Sequence, residues 1–221
     1  MSPSEKFGSC ASVHRRKRKD EMSDPTDFFA APDSLDIPGA TYLTGFITSE
    51  EEQDFIRKID AGQWSHEFAR RRQHFGMDYS KPNSSPPSPL PDWIESVGQR
   101  IVAAGLFARM PAQALVNEYL PGQGISAHKD YPPFDQVASL SLASGCLMEF
   151  INPASRLTKS FWLEPRSLVV LTREARHEWT HAIRPRLNDI VHGRKIPRQR
   201  RLSLTLRTLP PSIHRASTHR P

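Results

Sequence analysis

The chain contains 221 residues, carries a formal net charge of +6, and is 37% hydrophobic. This length fits one domain with irregular margins. A membrane-spanning helix is excluded because no run of 18 apolar residues occurs, and the first ten residues lack the apolar stretch of a secretory signal. The two cysteines, Cys10 and Cys146, exclude a disulfide scaffold and a cysteine-based zinc module, and they indicate a reducing compartment.

The positive charge lies at the two ends of the chain. Residues 194–221 hold eight basic residues and no acidic one, whereas residues 22–193 are net acidic. A basic end suits an acidic partner such as nucleic acid. The basic run 15–19 fits a nucleic-acid arm, a nuclear address or a plain solvated tail. We expect a cytoplasmic protein, or a nuclear one if this run is an address.

Two helices are expected before the centre of the chain. Polar residues without periodicity predict a disordered basic tail at 1–35. A capping box, Ser49-Glu-Glu-Glu52, predicts a first helix that runs to about residue 60. The Pro/Ser-rich segment 80–91 excludes regular structure, and a second helix is predicted from Asp92 to a terminating Gly105.

Short apolar segments separated by turn residues follow the second helix. They are Ala114–Tyr119, Ile125–Asp130, Val137–Leu142, Leu147–Ile151, Ser160–Leu163, Ser167–Leu171 and Leu202–Thr208. The pattern predicts a mainly β (α+β) fold, a sandwich or jelly roll with the N-terminal helices packed outside. We expect the domain at 36–210, its β core at about 111–210, and a C-terminal tail at 211–221.

Two short motifs compete as metal sites. In a strand, His128 and Asp130 lie two residues apart and point to the same face, where both reach one ion; the alternative is a surface His that happens to lie near an Asp. The segment His177-Glu178-Trp-Thr-His181 matches the zinc-protease signature H-E-x-x-H, which requires a helix. Pro185 would cut that helix short, so a zinc protease is a remote alternative.

Combining His128 and Asp130 with His181 gives two histidines and one carboxylate. This donor set suits Fe(II) with three open positions. Iron of this kind needs an electron-donating co-substrate to activate O₂, so the sequence must also hold a site for that molecule.

The last predicted strand alternates strictly between apolar and polar residues. Its leucines face one way, and the other face carries Arg201, Ser203, Thr205 and Arg207. Two arginines on an inward face are costly unless anions meet them, and a dicarboxylate would satisfy both. The alternative is an edge strand with its polar face in water. Asn117 and Tyr119 share a face of an earlier strand and would reach the same ligand.

In their order and spacing, these segments resemble the AlkB family of Fe(II)/2-oxoglutarate dioxygenases over about residues 37–210. The resemblance rests on Asn117-Glu-Tyr119-Leu-Pro-Gly122, His128-Lys-Asp130, Trp179-Thr-His181 and Arg201-x₅-Arg207. It implies a double-stranded β-helix (jelly roll) in which His128, Asp130 and His181 hold Fe(II).

The resemblance also implies 2-oxoglutarate and O₂ as co-substrates. Arg201 would pair with the distal carboxylate of 2-oxoglutarate, helped by Tyr119 and Ser203, while Arg207 and Asn117 would serve the end that chelates iron. The implied reaction oxidises a methyl group on a ring nitrogen. It releases formaldehyde, succinate and CO₂ and restores the base.

The segment from residue 70 to residue 79 resembles the family's substrate-recognition lid. Adjacent arginines beside aromatic residues suit phosphate contact and base stacking, and the alternative is a solvated basic loop. The candidate substrate-binding residues there are Arg70, Arg71, Arg72, Gln73 and Tyr79. Trp179 is a further candidate for stacking on a base, and its alternative role is core packing.

The expected substrate is an N-alkylated base in single-stranded or flipped-out DNA or RNA. Segments such as Val137–Leu142 are closer to the branch that contains the tRNA wobble-uridine hydroxylase, and Tyr131-Pro-Pro-Phe134 stands where an acidic base-reading residue is expected. Hydroxylation of modified tRNA and demethylation of a protein side chain are therefore alternatives. A non-enzymatic nucleic-acid-binding module is a third class. We expect a monomer without membrane association.

Overall fold

The structure, a computed structural model, describes residues 35–67, 69–77 and 89–211. The helices are α1 (Ser49–Ala61), α2 (Asp92–Ala103) and α3 (Arg173–His177). The strands are β1 (Ala40–Leu43), β2 (Arg72–Gly76), β3 (Gln113–Tyr119), β4 (Ile125–His128), β5 (Val137–Leu142), β6 (Cys146–Ile151), β7 (Thr158–Leu163), β8 (Leu168–Leu171), β9 (Thr180–Ile183), β10 (Asn188–Val191), β11 (Arg194–Pro197) and β12 (Arg201–Arg207). The predicted tails lie almost entirely outside the described residues.

The strands form two main antiparallel sheets. The larger sheet has the order β1-β8-β5-β12-β3-β2, the smaller one has the order β4-β9-β6-β7, and β10 and β11 form a separate hairpin. This arrangement confirms the predicted jelly roll. None of the described helices has both the length and the apolar character that a membrane crossing requires.

The leucine face of β12 builds the main core. Leu202, Leu204 and Leu206 are fully buried and pack in one cluster with residues of α1 and α2. The helical members of this cluster are Phe55, Ile59, Ile94, Val97 and Ile101. Full burial of each such side chain contributes roughly 1.5–3 kcal/mol, so the predicted placing of both helices outside the β core has a clear energetic basis.

Both predicted helices form, with one shift in the first cap. The capping box of α1 is Thr48 and Glu51 rather than the predicted pair one residue later. Thr48 has extended backbone angles, its hydroxyl accepts from the Glu51 amide at 3.2 Å, and its own amide donates to Glu51 at 2.8 Å. After α2, Gly105 has a φ of +70°, which suits the predicted helix end.

Candidate active site

A cavity of about 230 Å³ lies between the two sheets. The larger sheet contributes polar side chains to its wall, the smaller sheet contributes two histidines, and the segment around β2 contributes two arginines. Polar residues of the wall include Arg70, Arg72, Asn117, His128, Asp130, Ser139, His181, Ser203, Thr205 and Arg207. The structure thus brings most of the predicted site residues to one place.

The two histidines of the cavity face each other across a strand pair. His128 on β4 is the register partner of His181 on β9, and their ring centroids lie 4.4 Å apart. The Nδ1 atom of His128 lies 2.9 Å from the Ser126 carbonyl oxygen, which can only accept. This contact fixes the ring and leaves Nε2 as the atom with a lone pair for a ligand bond.

Asp130 lies two residues after the end of β4, and its carboxylate is almost completely buried. Its Oδ1 atom accepts from Arg207 Nε at 2.7 Å, whereas Oδ2 has no hydrogen-bond partner in the part of the chain that is described. Burial raises the pKa of Asp130, but the charges of Arg207 and His181 hold this pKa well below its usual range. Burial lowers the pKa of His181 to about 4. A carboxylate and a neutral imidazole are the forms that bind metals.

The unpartnered oxygen of Asp130 lies 3.7 Å from Nε2 of His181. Neighbouring donor atoms around a six-coordinate ion, with bonds of about 2.1 Å, lie about 3 Å apart. Within the described ranges no three His, Cys, Asp or Glu side chains already stand close enough to share an ion. Closure by less than about 1 Å brings this pair to ligand spacing, and the donor set then fits a divalent ion.

Arg201 is a buried cation whose donors are only partly used. Its Nη2 atom donates to Ser141 Oγ at 2.8 Å, and its guanidinium lies 5.5 Å from the Tyr119 ring. The Nε and Nη1 atoms have no hydrogen-bond partner, and no Asp or Glu pairs with Arg201, among the described residues. A buried guanidinium with open donors fits an anion, because burying it unpaired is costly.

The position of β12 excludes the edge-strand alternative. This strand pairs with β3 on one side and with β5 on the other, so it lies inside the larger sheet. Arg201 stands opposite Tyr119, and Ser203 stands opposite both Asn117 and Ser141. The predicted co-substrate residues therefore share one wall of the sheet.

The sequence did not assign a binding role to three hydroxyl residues of this wall: Ser139, Ser141 and Thr205, of which only Thr205 was placed on the inward face. The hydroxyl oxygens of Ser139 and Ser203 lie 3.3 Å apart, as do those of Ser203 and Thr205. The signal was present in the sequence, because the two serines of β5 alternate with Ala138, Leu140 and Leu142 just as the polar residues of β12 alternate with leucines.

The predicted lid residues divide into two groups. Arg70 and Arg72 line the cavity, and Arg70 donates to Asn117 Oδ1 at 3.4 Å and to the Gly124 carbonyl at 3.2 Å. Arg71 points elsewhere: its Nη2 atom donates to Glu118 at 2.9 Å and its guanidinium lies 4.3 Å from the Trp64 ring. Only two of the three arginines therefore present charge to the cavity.

Two of the predicted substrate contacts, Gln73 and Trp179, are buried and do not line the cavity. The side chain of Gln73 is buried, and its Nε2 atom donates to the Ile59 carbonyl at 2.6 Å, which ties the end of α1 to β2. Trp179 is 6% exposed and packs in the second core cluster, so its ring is covered by the protein itself. Tyr79 lies outside the described residues.

The zinc-protease alternative is also wrong. His177 ends the one-turn helix α3 and is exposed, whereas His181 lies in β9. The backbone of β9 pairs with both β4 and β6, so the helical turn that H-E-x-x-H requires does not form.

Comparison with known families settles the class of the protein. Residues 69–207 match the 2OG-Fe(II) oxygenase superfamily. The chain belongs to this superfamily. The oxygenase is therefore an oxidoreductase that uses Fe(II), with 2-oxoglutarate and O₂ as co-substrates.

Several relatives of the oxygenase carry AlkB-homologue names, and the chain is AlkB-like. It is 31% identical over 180 residues to "Uncharacterized protein L905" of Acanthamoeba polyphaga mimivirus, which covers 78% of this chain and 86% of that protein. It is 29% identical to the zebrafish "Probable RNA/DNA demethylase ALKBH6", over 80% of this chain and 88% of that protein.

A third relative is much longer than the oxygenase. The mouse "tRNA (carboxymethyluridine(34)-5-O)-methyltransferase ALKBH8" is 34% identical over 71% of this chain, but the match spans only 26% of the mouse protein. Among solved structures, that of OsALKBH1 superimposes with a TM-score of 0.62 at 16% identity, covering 77% of this chain and 98% of the other, which supports the fold.

Proposed function

We propose that the oxygenase removes methyl groups from ring nitrogens of DNA or RNA bases by oxidation. One observation supports this proposal most directly: a single cavity is lined by two histidines, a carboxylate and two arginines, namely His128, His181, Asp130, Arg70 and Arg72. The open donors of Arg201 lie in the sheet that forms one wall of this cavity. The zebrafish relative, by its printed name a probable RNA/DNA demethylase, supports the same substrate class.

In this proposal, His128, Asp130 and His181 hold the iron. The iron with its co-substrates supplies the oxidising power for cleavage of a substrate C–H bond. Among the protein's own residues, Arg207 holds one oxygen of Asp130 and so leaves the other for the ion. Ser126 fixes the ring of His128 through its carbonyl.

The 2-oxoglutarate site lies along β12 and β3. Arg201 takes the distal carboxylate through Nε and Nη1, the two donors without a protein partner, and Tyr119 and Ser203 flank it. Asn117 serves the end that chelates iron. Arg207 already donates to Asp130 and Gln113. Its role at the iron-chelating end is to hold the metal ligand Asp130 and to place a positive charge beside the proximal carboxylate of 2-oxoglutarate.

The overall reaction balances without another reductant. The co-substrate 2-oxoglutarate loses CO₂ and is oxidised to succinate, which receives one oxygen atom of O₂. The second oxygen atom converts the N–CH₃ group into N–CH₂OH. The hydroxymethyl group then leaves as formaldehyde when its C–N bond breaks, and the ring nitrogen is restored.

Arg70 and Arg72 are the proposed contacts for the substrate backbone. Both line the cavity wall, where a phosphate beside the entering base would meet a guanidinium. A base inside a duplex cannot reach such a cavity, so the substrate is single-stranded or flipped out of the stack.

A second candidate is hydroxylation of a modified base in tRNA. It is favoured by the 34% identity to the mouse protein whose printed name refers to carboxymethyluridine 34 of tRNA. The two functions share the iron and 2-oxoglutarate sites and differ in the substrate alone.

The test is turnover with Fe(II), 2-oxoglutarate and three substrates: N-methylated DNA, N-methylated RNA and carboxymethyluridine-containing tRNA. Demethylation yields formaldehyde and succinate in equal amounts from a methylated oligonucleotide. Succinate without formaldehyde, together with a tRNA product heavier by one oxygen atom, would contradict demethylation and support the second candidate. If none of the three raises succinate above the substrate-free control, both candidates are wrong.

A further inference from the structure

Arg176 has a role that neither the iron donor set nor the co-substrate site accounts for. This residue lies in α3 and is 3% exposed. Its Nη2 atom donates to three main-chain carbonyls: those of Asp130 at 3.2 Å, Tyr131 at 2.8 Å and Phe134 at 2.8 Å. One guanidinium therefore binds the backbone at three positions between Asp130, the proposed carboxylate ligand, and Phe134.

This buried cation has no carboxylate partner among the described residues, and its Nε atom makes no hydrogen bond there. Burying a guanidinium against carbonyl oxygens alone costs free energy that an apolar side chain of the same size would not. A stabilising role in the core explains this choice of residue poorly. Control over the path of the main chain explains it better.

The position of Arg176 is itself fixed. The amide of the preceding Ala175 donates to the Pro38 carbonyl at 2.9 Å, and Lys129 Nζ donates to the His177 carbonyl at 2.6 Å. Four residues after α3, the chain reaches His181. Arg176 therefore links the segment that leads to His181 with the backbone of Asp130.

The residue that follows this segment, Asp135, is also hydrogen-bonded to a neighbouring strand end. The Asp135 amide donates to the Thr208 carbonyl at 2.9 Å, and Thr208 directly follows Arg207 in the chain. The backbone from Asp130 onward is thus fixed at one end by Arg176 and at the other by the end of β12. With its main chain and Oδ1 held, Asp130 keeps little freedom to turn Oδ2 away from His181.

We propose that Arg176 is a positioning residue for metal binding, which fixes the backbone of Asp130 so that the unpartnered carboxylate oxygen stays directed toward His181. The inference rests on the proposed iron site. Removing a group that hydrogen-bonds to and orients a metal ligand typically lowers metal affinity about 10- to 100-fold.

The test is titration of the metal-free enzyme with Co(II), followed by the visible absorption of the bound ion. Arg176→Met removes the donors at nearly constant volume and should raise the Co(II) Kd about 10- to 100-fold. Arg176→Lys retains a charged donor and should restore part of the affinity. At saturating metal, the KM for 2-oxoglutarate should stay near the wild-type value in both variants, because Arg201 is unchanged.

The matched control is Arg198→Met. Arg198 is also a buried arginine that donates to main-chain carbonyls, those of Gln123 and Arg184. Unlike Arg176 it also pairs with Asp189, and among the described residues it contacts no part of the segment after Asp130. This variant should lower the thermal midpoint and leave the Co(II) Kd unchanged. A general loss of stability is thereby separated from a loss of positioning.

An unchanged Co(II) Kd in Arg176→Met would overturn the inference. If that variant does not fold, Arg176→Gln decides by the same criterion. Failure of the iron assignment looks different, because Asp130→Ala would then bind Co(II) as tightly as the wild type. Loss of binding in Asp130→Ala with unchanged binding in Arg176→Met contradicts only the role of Arg176.

Discussion

Arg207 Nε lies 2.7 Å from Oδ1 of Asp130, while Oδ2 of the same carboxylate has no partner among the described residues. The two oxygens of one side chain thus have different environments. The first is held by the central strand of the larger sheet, and the second faces the ring of His181 at 3.7 Å. A substitution can therefore change metal binding by Oδ2 while the hydrogen bond from Arg207 to Oδ1 is kept.

Asp130→Asn should therefore abolish turnover without loosening Arg207. The amide oxygen of Asn can still accept from Arg207, whereas its NH₂ group is a poor ligand for Fe(II). We expect succinate formation to fall by more than about 100-fold, since even the groups behind ligands contribute 10- to 100-fold. Calorimetric Fe(II) binding and succinate release check this, and a variant with near wild-type binding would contradict the ligand role.

Arg201→Met should separate co-substrate binding from stability. A hydrogen bond to a charged group contributes about 1.5–3 kcal/mol, so the KM for 2-oxoglutarate should rise at least about tenfold. Without 2-oxoglutarate the variant should melt no lower than the wild type, because a buried and partly unpaired cation has been removed.

The same variant should lose the rise in thermal midpoint that 2-oxoglutarate gives the wild type. Thermal scans with and without the ligand measure both effects. Arg198→Met is the control, since it removes another buried arginine and should keep the ligand-induced rise. An equal rise in Arg201→Met would place the distal carboxylate elsewhere.

Arg71→Ala and Arg72→Ala should differ in their effect on nucleic-acid binding. Arg72 lines the cavity and forms a longer ion pair, 3.6 Å, with the exposed Glu67. Its loss should weaken substrate binding several-fold and reduce the salt dependence of log K by about one unit. Arg71 is held by Glu118 and Trp64, so its loss should leave the salt dependence unchanged. Binding titrations at several salt concentrations check the pair, and equal slopes would argue against this division of the lid.

Trp179→Ala should destabilise the protein, whereas Trp179→Phe should remain active. Removing a buried tryptophan costs about 3–5 kcal/mol, and a smaller ring refills much of the space. Denaturant unfolding measures the loss of stability, and succinate release with substrate measures the activity. A stable but inactive Trp179→Phe would instead support the stacking role of Trp179.

Much of the site was accessible from the sequence because strand periodicity is strong where one face is apolar. The alternation in β12 predicted two faces: the three leucines are fully buried in the core, and Ser203, Thr205 and Arg207 line the cavity. The spacing of His128 and Asp130 predicted a shared location. The histidine at 181 joins them because β9 pairs with β4, a long-range contact that no local pattern encodes.

The residues that lie away from their predicted positions also depend on long-range contacts. Gln73 and Arg71 read as parts of a basic lid, yet each finds a partner distant in the chain, at Ile59 and Glu118 respectively. Similarly, Arg198 in the basic C-terminal stretch is neutralised by Asp189. Net charge counts residues, whereas a partner meets only those charges that the fold directs toward the surface it binds.

The strands β12 and β2, which both carry arginines beside the cavity, differ in how easily they can separate from the larger sheet. β12 is hydrogen-bonded along both sides, so exposing the amides that flank Arg201 requires separation of the whole sheet. β2 stands at the end of the strand order and pairs with β3 alone among the described strands, so it can part from the sheet in a local event. We therefore expect local opening of the larger sheet to begin at β2. Amide hydrogen exchange should be fast in β2 and close to the global unfolding limit in β12.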